Sequence, residues 1–371
     1  MNTRTETQNM LSHSIKAMLG KHHASDRLRE GHCAANLWPE LVELGLTAAE
    51  IPEEIGGLGL GFADIVPMFE DLGRGLATTY YLEFAVMGYW LLHASGNAVA
   101  RDLLAGAAAG EVLPVLAFSE FGTAGDPAFT RTTATASGDG WRLKGSKSVV
   151  VGGDIATHLL VPALAGQGED SGLALFLVPA DAPGVALRSL QLYDGSRAAD
   201  ISLDDARVPA SNLLSSGDEA KELIAMTLDR GRAALCHEAV GLMAAAQELT
   251  LDYVKSRKQF GQPIGAFQTM QHRLANMFMD LELTRSAAQL ATSAVQRSAT
   301  PEQRMQAVSA AMVTLCQNAR AVGQSAIQAH GGIALTREYL AGHYFKRLTL
   351  IERYLGTGED HLERYIALSG C

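Results

Sequence analysis

The residues best equipped for chemistry in this chain lie in two short stretches toward its C-terminal end. Arg257-Lys258-Gln259-Phe260-Gly261-Gln262-Pro263-Ile264-Gly265-Ala266-Phe267-Gln268 combines a guanidinium with two glycines and closes on a glutamine, and Gln328-Ala329-His330-Gly331-Gly332 joins a side-chain amide to a double glycine. A guanidinium is the best side chain for gripping a pyrophosphate, and glycines let backbone amides approach phosphates closely. Each stretch alone has a plainer reading, with Arg257 as an arginine set favourably at a helix C-terminus and Gly331-Gly332 as a helix stop. Metal chemistry finds no support: Cys33, Cys236, Cys316 and Cys371 form no Cys-x-x-Cys pair, and neither His22-His23 nor His237 has a second ligand at helical spacing. The cysteines read as free thiols.

The elements that must position these residues follow from hydrophobic period. Up to about Pro114 the spacing is helical, in LWPELVELGL, ADIVPMFEDLGRGL and YLEFAVMGYWLLHA. The glycine-rich run Ile51–Gly61 lacks a preceding strand and a following acidic residue at dinucleotide-fold spacing, so it reads as a tight interhelical loop. From about Val115 the period changes to short Thr-, Val- and Leu-rich runs separated by glycine turns: TRTTATAS, WRLKGSKSVVV, HLLVPAL, LALFLVPA, GVALRSLQL and ADISLDDARV. Such runs predict a compact antiparallel barrel or sandwich of about a hundred residues. After Ser215 helix returns, in a long segment ending near Phe260 and in stretches around 267–297, 301–330 and 338–353, with Ser298-Ala299-Thr300-Pro301-Glu302-Gln303 as a start signal. Four long helices make a bundle whose small residues, Ala233, Ala234, Ala244, Ala245, Ala246, Ala310 and Ala311, permit close packing. The predicted boundaries are 1–114 for a helical domain, 115–214 for a β domain and 215–371 for the bundle.

A chain of 371 residues that is 47% hydrophobic can bury a large core. Its net charge of −10 argues against nucleic acid or an anionic membrane as the main partner, because phosphate-rich surfaces demand clustered positive charge. With no long apolar segment and no leader-like start, the expected location is cytoplasmic.

Taken together and in order, the two stretches resemble signatures of the acyl-CoA dehydrogenase family: R-x-x-F-G-x-x-x-x-x-F-Q at Arg257–Gln268 and Q-x-x-G-G at Gln328–Gly332. A third match, Asp200-Ile201-Ser202-Leu203-Asp204-Asp205-Ala206-Arg207-Val208-Pro209, closes the β domain as in those enzymes. The resemblance runs from about Leu37 to Ile366. It implies an α+β fold with an N-terminal helical domain, a middle antiparallel β-barrel domain and a C-terminal four-helix bundle. It also implies a flavoprotein that dehydrogenates acyl-CoA thioesters with FAD, of lipid or steroid degradation, with electron-transfer flavoprotein as its electron acceptor. By the same resemblance Arg257, Phe260, Gln268, Gln328, Gly331, Gly332, Phe118, Ser119 and Thr357 are the cofactor-binding candidates, and Arg232 and Asp229 the substrate-binding ones. An exposed ion pair of Asp229 with Arg230 or Arg232 is the plainer account of the last two.

Departures from the family pattern are as informative. Leu116-Ala117-Phe118-Ser119-Glu120-Phe121-Gly122-Thr123-Ala124-Gly125-Asp126 is similar to the T-E-P-G-A-G-S-D flavin loop with Ser119 for threonine and Phe121 for proline. Lys147-Ser148-Val149-Val150-Val151-Gly152-Gly153 stands where K-x-W-I-T-N-G is expected, so Val149 and Val151 replace a ring that covers the flavin and a hydroxyl that bonds near it. The family reaction removes a proton α to a thioester while hydride leaves the β carbon, which requires a carboxylate. Leu355 occupies that position in Arg353-Tyr354-Leu355-Gly356-Thr357, and Gly231 occupies the alternative site used by some relatives. Asp229, Glu352 and Glu359 lie nearby but displaced along helix or loop, and no catalytic residue is assigned.

The segment His330-Gly331-Gly332-Ile333 with Lys346-Arg347 looks like a subgroup of steroid side-chain degradation that assembles unlike subunits as α2β2, one of which has lost its carboxylate. The leading expectation is such a base-less subunit, completing a partner's FAD site. Three alternatives stay open: a self-sufficient homotetramer with another base, a flavin-dependent monooxygenase on the same fold, and a catalytically silent assembly subunit.

Overall fold

The structure is a computed structural model that describes residues 4–22, 37–77, 79–123, 127–166, 172–298 and 300–370. His23, Cys33, Cys371 and the Ala124-Gly125-Asp126 end of the flavin-like loop lie outside the described residues. Packing divides the chain into two units, one of Met1–Cys33, Phe62–Thr78 and Arg232–Cys371, the other of Ala34–Gly61 and Thr79–Gly231.

The second unit holds helices α2 (Trp38–Glu43), α5 (Trp90–Ala94) and α6 (Ala98–Ala108), and all of the larger sheet. Strands β1 (Pro114–Leu116) and β8 (Leu213–Ser216) fall outside the six runs read from the sequence, whereas β2 (Thr133–Ser137), β3 (Gly140–Val151), β4 (His158–Ala165), β5 (Gly172–Pro179), β6 (Val185–Gln191) and β7 (Arg197–Pro209) coincide with them. The order is β6-β7-β3-β2-β4-β5-β8, with β1 added on β4. Most pairings are antiparallel, but β1 and β2 each run parallel to β4, a feature that alternation alone cannot reveal. Leu159, Leu160, Val161 and Ala163 of β4 face Leu173–Val178 of β5 in one fully buried pair. The segment expected to be one α-helix over Tyr81–Ala94 begins as a π-helix, Leu82–Tyr89, and becomes α-helical only at Trp90. Every residue of the π segment is buried, and Phe84 meets Trp38 edge-to-face at 5.4 Å.

The first unit holds α1 (Glu6–Lys21), α3 (Phe62–Ile65), α4 (Met68–Arg74) and the bundle. The sequence pattern over Ala63–Leu76 predicts one helix. It breaks at Pro67, whose ring lacks an N–H and forces a turn, leaving α3 and α4 as two short pieces. The 40-residue α7 (Gly217–Ser256) contains the unit boundary, between Gly231 and Arg232. Beyond it come α8 (Gln268–Arg297), α9 (Pro301–His330), α10 (Leu340–Tyr354) and a further short helix, α11 (Gly358–Ser369), not anticipated from the pattern. Thr300 caps α9 by accepting from Gln303 N, with Pro301 in its first turn, as the start signal predicts. Small residues set the crossings: a Cβ on Gly73 would fall 2.2 Å from Glu238 O, and one on Gly241 would fall 2.0 Å from Glu70 O. Ala233, Ala234, Ala244, Ala246 and Ala311 are buried in the same close-packed interior.

Candidate active site

In the first unit, α7 ends at Ser256 because the chain turns into a two-residue hairpin, Lys258–Gln259 against Gln262–Pro263. Phe260 and Gly261 at its tip both have positive φ, +54° and +81°, and Ile264 N donates to Arg257 O to close the loop. Phe260 is left 91% exposed, touching Phe267 edge-to-face, while Arg257 and Gln268 are also exposed. Gln328, Gly331 and Gly332 are exposed at the far end of α9, where Gly331 takes φ +64°. An aromatic cluster joins the two motifs: His330 lies 4.6 Å from the Tyr253 ring, one turn before Arg257, and 5.0 Å from that of Tyr339.

Leu355 is 1% exposed, immediately after the last turn of α10, and its carbonyl accepts a 3.0 Å hydrogen bond from Arg232 Nε. Arg232 therefore acts here as a cation at a helix C-terminus. Gly356 at φ +108° packs so closely on His361 that a Cβ would lie 2.9 Å from Nε2. Thr357 then starts α11 with a capping box to Asp360. Glu352, the nearest acidic residue before Leu355, is buried against Arg320, which donates to it at 2.7 and 3.0 Å. Glu359 is exposed.

In the second unit, Gly231 is buried in mid-helix. Asp229 is wholly buried, Arg230 is 5% exposed and Arg232 9%, so none of the three lies on an exposed helical face as the plainer account supposed. Arg230 instead binds Glu50 at 2.5 Å and stacks over Trp90, an arrangement created by residues distant in sequence.

The flavin-like loop and the lysine motif meet. Ser148 N donates to Ser119 O at 2.8 Å, and Lys147 Nζ, fully buried, donates to Glu120 Oε1 at 2.6 Å, to Thr130 Oγ1 and to Pro162 O. Glu120 also accepts from Thr130, Thr132 and Arg131 N. Sequence reading passed over this clamp, although an acidic residue in the loop and the lysine of the following motif were its visible trace. Burial alone would raise the Glu120 pKa, but hydrogen bonds from Lys147, Thr130 and Thr132 and the lysine charge prevail and hold it at about 2. A carboxyl whose folded pKa lies below its ordinary 4.5 stabilises fully above pH 4.5 and loses that contribution as pH falls toward 2. Denaturant melts between pH 5 and 2 should therefore show a stability slope that flattens in Glu120→Gln.

Beside the clamp, Val149 sits at φ +53° in a register shift between Lys147 and Val150, its N–H held by Asp200 Oδ1 at 3.0 Å. A β-branched residue in the left-handed region is strained by about 1–2 kcal/mol. Val149→Gly is expected to raise stability by about 0.5–1 kcal/mol in thermal unfolding; a decrease would show that its side-chain contacts outweigh the strain. Val151 is buried, and Gly152 is packed 3.1 Å from the edge of Phe84 at its Cβ position.

Models for the N-terminal, middle and C-terminal domains of acyl-CoA dehydrogenases match residues 5–111, 115–206 and 222–367. A probable acyl-CoA dehydrogenase of Bacillus subtilis is 31% identical over 98% of this chain and 97% of its own length. Among solved structures, a variant of the Tcur3481–Tcur3483 steroid ACAD is 31% identical with a TM-score of 0.88, covering 99% of both chains. The ChsE4–ChsE5 complex of Mycobacterium tuberculosis is 25% identical with a TM-score of 0.87, covering 99% of this chain and 98% of that one. The helix, sheet, helix arrangement is thus the fold of a class of flavin-dependent oxidoreductases. The chain belongs to the acyl-CoA dehydrogenase family.

FAD is the cofactor of this family, and the residues present fit its two ends unequally. Of the residues that the motif resemblance puts at the nucleotide end, Arg257, Gln268 and Gln328 are exposed donors, and the space at Gly331 and Gly332 is open. For the ring end, Val149 and Val151 offer neither an aromatic face nor a hydroxyl. Among the described residues no group of three His, Cys, Asp or Glu side chains gathers to hold a metal ion, and no helix is long and apolar enough to cross a membrane.

Proposed function

We propose that this chain is the base-less subunit of a two-component acyl-CoA dehydrogenase, gripping the nucleotide end of FAD at an active site whose carboxylate belongs to a homologous partner. The reaction is α,β-dehydrogenation of a bulky acyl-CoA thioester. Bound FAD supplies the two-electron acceptor for the hydride of the β carbon. The observation that carries the reading is Leu355: an apolar, buried side chain stands where the proton would be removed, with Glu352 committed to Arg320 and the alternative site reduced to Gly231. A leucine can neither accept nor hold a proton.

The parts of the site differ in how they support this. Arg257 and Gln268, with Gln328, Gly331 and Gly332, point the chemistry of phosphate and amide recognition outward from the bundle, and the exposed Phe260 is an apolar contact awaiting a neighbour. Phe118, Ser119 and Thr357 complete the proposed cofactor set. Arg232 and Asp229 are proposed for the thioester side, where Arg232 also fixes the Leu355 carbonyl. The two-chain name of the ChsE4–ChsE5 complex and the steroid designation of the Tcur3481–Tcur3483 protein support the α2β2 and bulky-substrate parts of the reading. Electron-transfer flavoprotein is the proposed acceptor.

Native mass spectrometry after co-expression with a homologous subunit tests the reading. Two FAD per four chains in a mixed tetramer is the expected result, with turnover only in the mixed assembly. Four FAD in a tetramer of this chain alone, with turnover, would defeat it.

A further inference from the structure

His330 carries a buried nitrogen with nothing to bind. The residue is 4% exposed, and its Nδ1 lies 2.8 Å from Ala326 O. A carbonyl can only accept, so Nδ1 carries the hydrogen and Nε2 of the neutral ring is a bare acceptor. That atom is buried and makes no hydrogen bond. An unsatisfied buried acceptor is destabilising, and a phenylalanine would fill the same space between Tyr253 and Tyr339 without that penalty. The nitrogen is explained if a donor arrives from outside.

Its surroundings say what kind of donor. Tyr253 and Tyr339 are only partly buried, and their rings flank the imidazole at 4.6 and 5.0 Å. Tyr339 immediately precedes α10, outside regular structure, and its ring meets the imidazole at an interplanar angle of 58°. The next residues along the chain, Gly331 and Gly332, are the exposed glycines of the nucleotide motif, and Tyr253 stands one turn before Arg257. Flat aromatic faces beside a single acceptor suit a planar ring bearing an amine, next to groups suited to phosphate.

We propose that His330, with Tyr253 and Tyr339, is the purine-reading element of this chain, Nε2 accepting a hydrogen bond from the 6-amino group of an adenine nucleotide. The inference rests on the nucleotide-end reading given above and adds base specificity to it. Hypoxanthine, which has a carbonyl oxygen in place of that amine, sets two acceptors against each other and is rejected.

Calorimetric titration of the full chain, alone and in its mixed assembly freed of FAD, with ADP and with inosine diphosphate tests this. The expected result is ADP binding at least about tenfold tighter than inosine diphosphate, the worth of one hydrogen bond to a buried acceptor. His330→Phe, which keeps the aromatic stack, should bring the ratio to about one by weakening ADP while leaving inosine diphosphate unchanged. Equal affinity of the unaltered protein for the two nucleotides overturns the inference, whatever the variant does, and leaves the proposed function standing. Failure to bind ADP and FAD in any pairing overturns both.

Discussion

Replacing Glu120 by alanine is expected to lower folding stability by about 3–5 kcal/mol, the largest single effect among the substitutions considered for this chain. The reason is asymmetric. Lys147 is fully buried and its ammonium is satisfied by Glu120, Thr130 and Pro162 O; with the carboxylate gone it remains a buried cation without a counter-charge. Removing both partners, as in Glu120→Leu with Lys147→Met, should recover most of the loss, because the desolvation penalty disappears with the ions. Equilibrium unfolding in denaturant measures each of these. A loss below about 1 kcal/mol for Glu120→Ala would mean that water reaches Lys147 and that the clamp does not hold the loop. Because Ser148 N also bonds to Ser119 O, the same substitution loosens Ser119 and Phe118, two of the proposed cofactor contacts.

Introducing a carboxylate at position 355 is expected to leave the lone chain inactive. Leu355→Glu should lower stability by several kcal/mol, since the side chain it replaces is 1% exposed and an ionised group there loses its water. It should also leave the lone chain without acyl-CoA turnover, because Val149 and Val151 still lack the ring and the hydroxyl of the family motif. Thermal unfolding reads the first effect and dye-coupled oxidation of acyl-CoA thioesters, with added FAD, reads the second. Turnover by the lone variant would show that its flavin pocket is complete, and the proposed division of labour between two subunits would fall.

The family and its three-part fold were legible because they reside in local patterns. Alternation over Thr130–Val208 marks strands that are half or wholly buried, and the three-and-four spacing after Ser215 marks helices with one apolar face. Turn chemistry was equally readable: Thr300-Pro301 starts α9 through a cap that needs only neighbouring residues. The absence of a carboxylate at 355 and at 231 is likewise a property of residue identity, which no folding can alter.

Other features depend on residues that meet only after folding. Alternation does not distinguish parallel from antiparallel neighbours, so the parallel seating of β1 and β2 on β4 was invisible. The π-helix over Leu82–Tyr89 has the composition of an ordinary buried helix, and its register is set by tertiary packing around Phe84 and Trp38. Arg230 read as half of a local surface pair, but in the fold it meets Glu50, 180 positions away in sequence, and Trp90. The Glu120–Lys147 clamp and the orphaned nitrogen of His330 belong to the same class. Whether a charge is buried and whether an acceptor finds a donor are questions about three-dimensional neighbours, and a one-dimensional pattern carries only the inventory of groups. For this protein the sequence by itself determined the family, most of the elements and the absence of a carboxylate at positions 355 and 231; the tertiary structure decided which polar groups are spent on holding the fold, because burial and pairing depend on neighbours that meet only after folding.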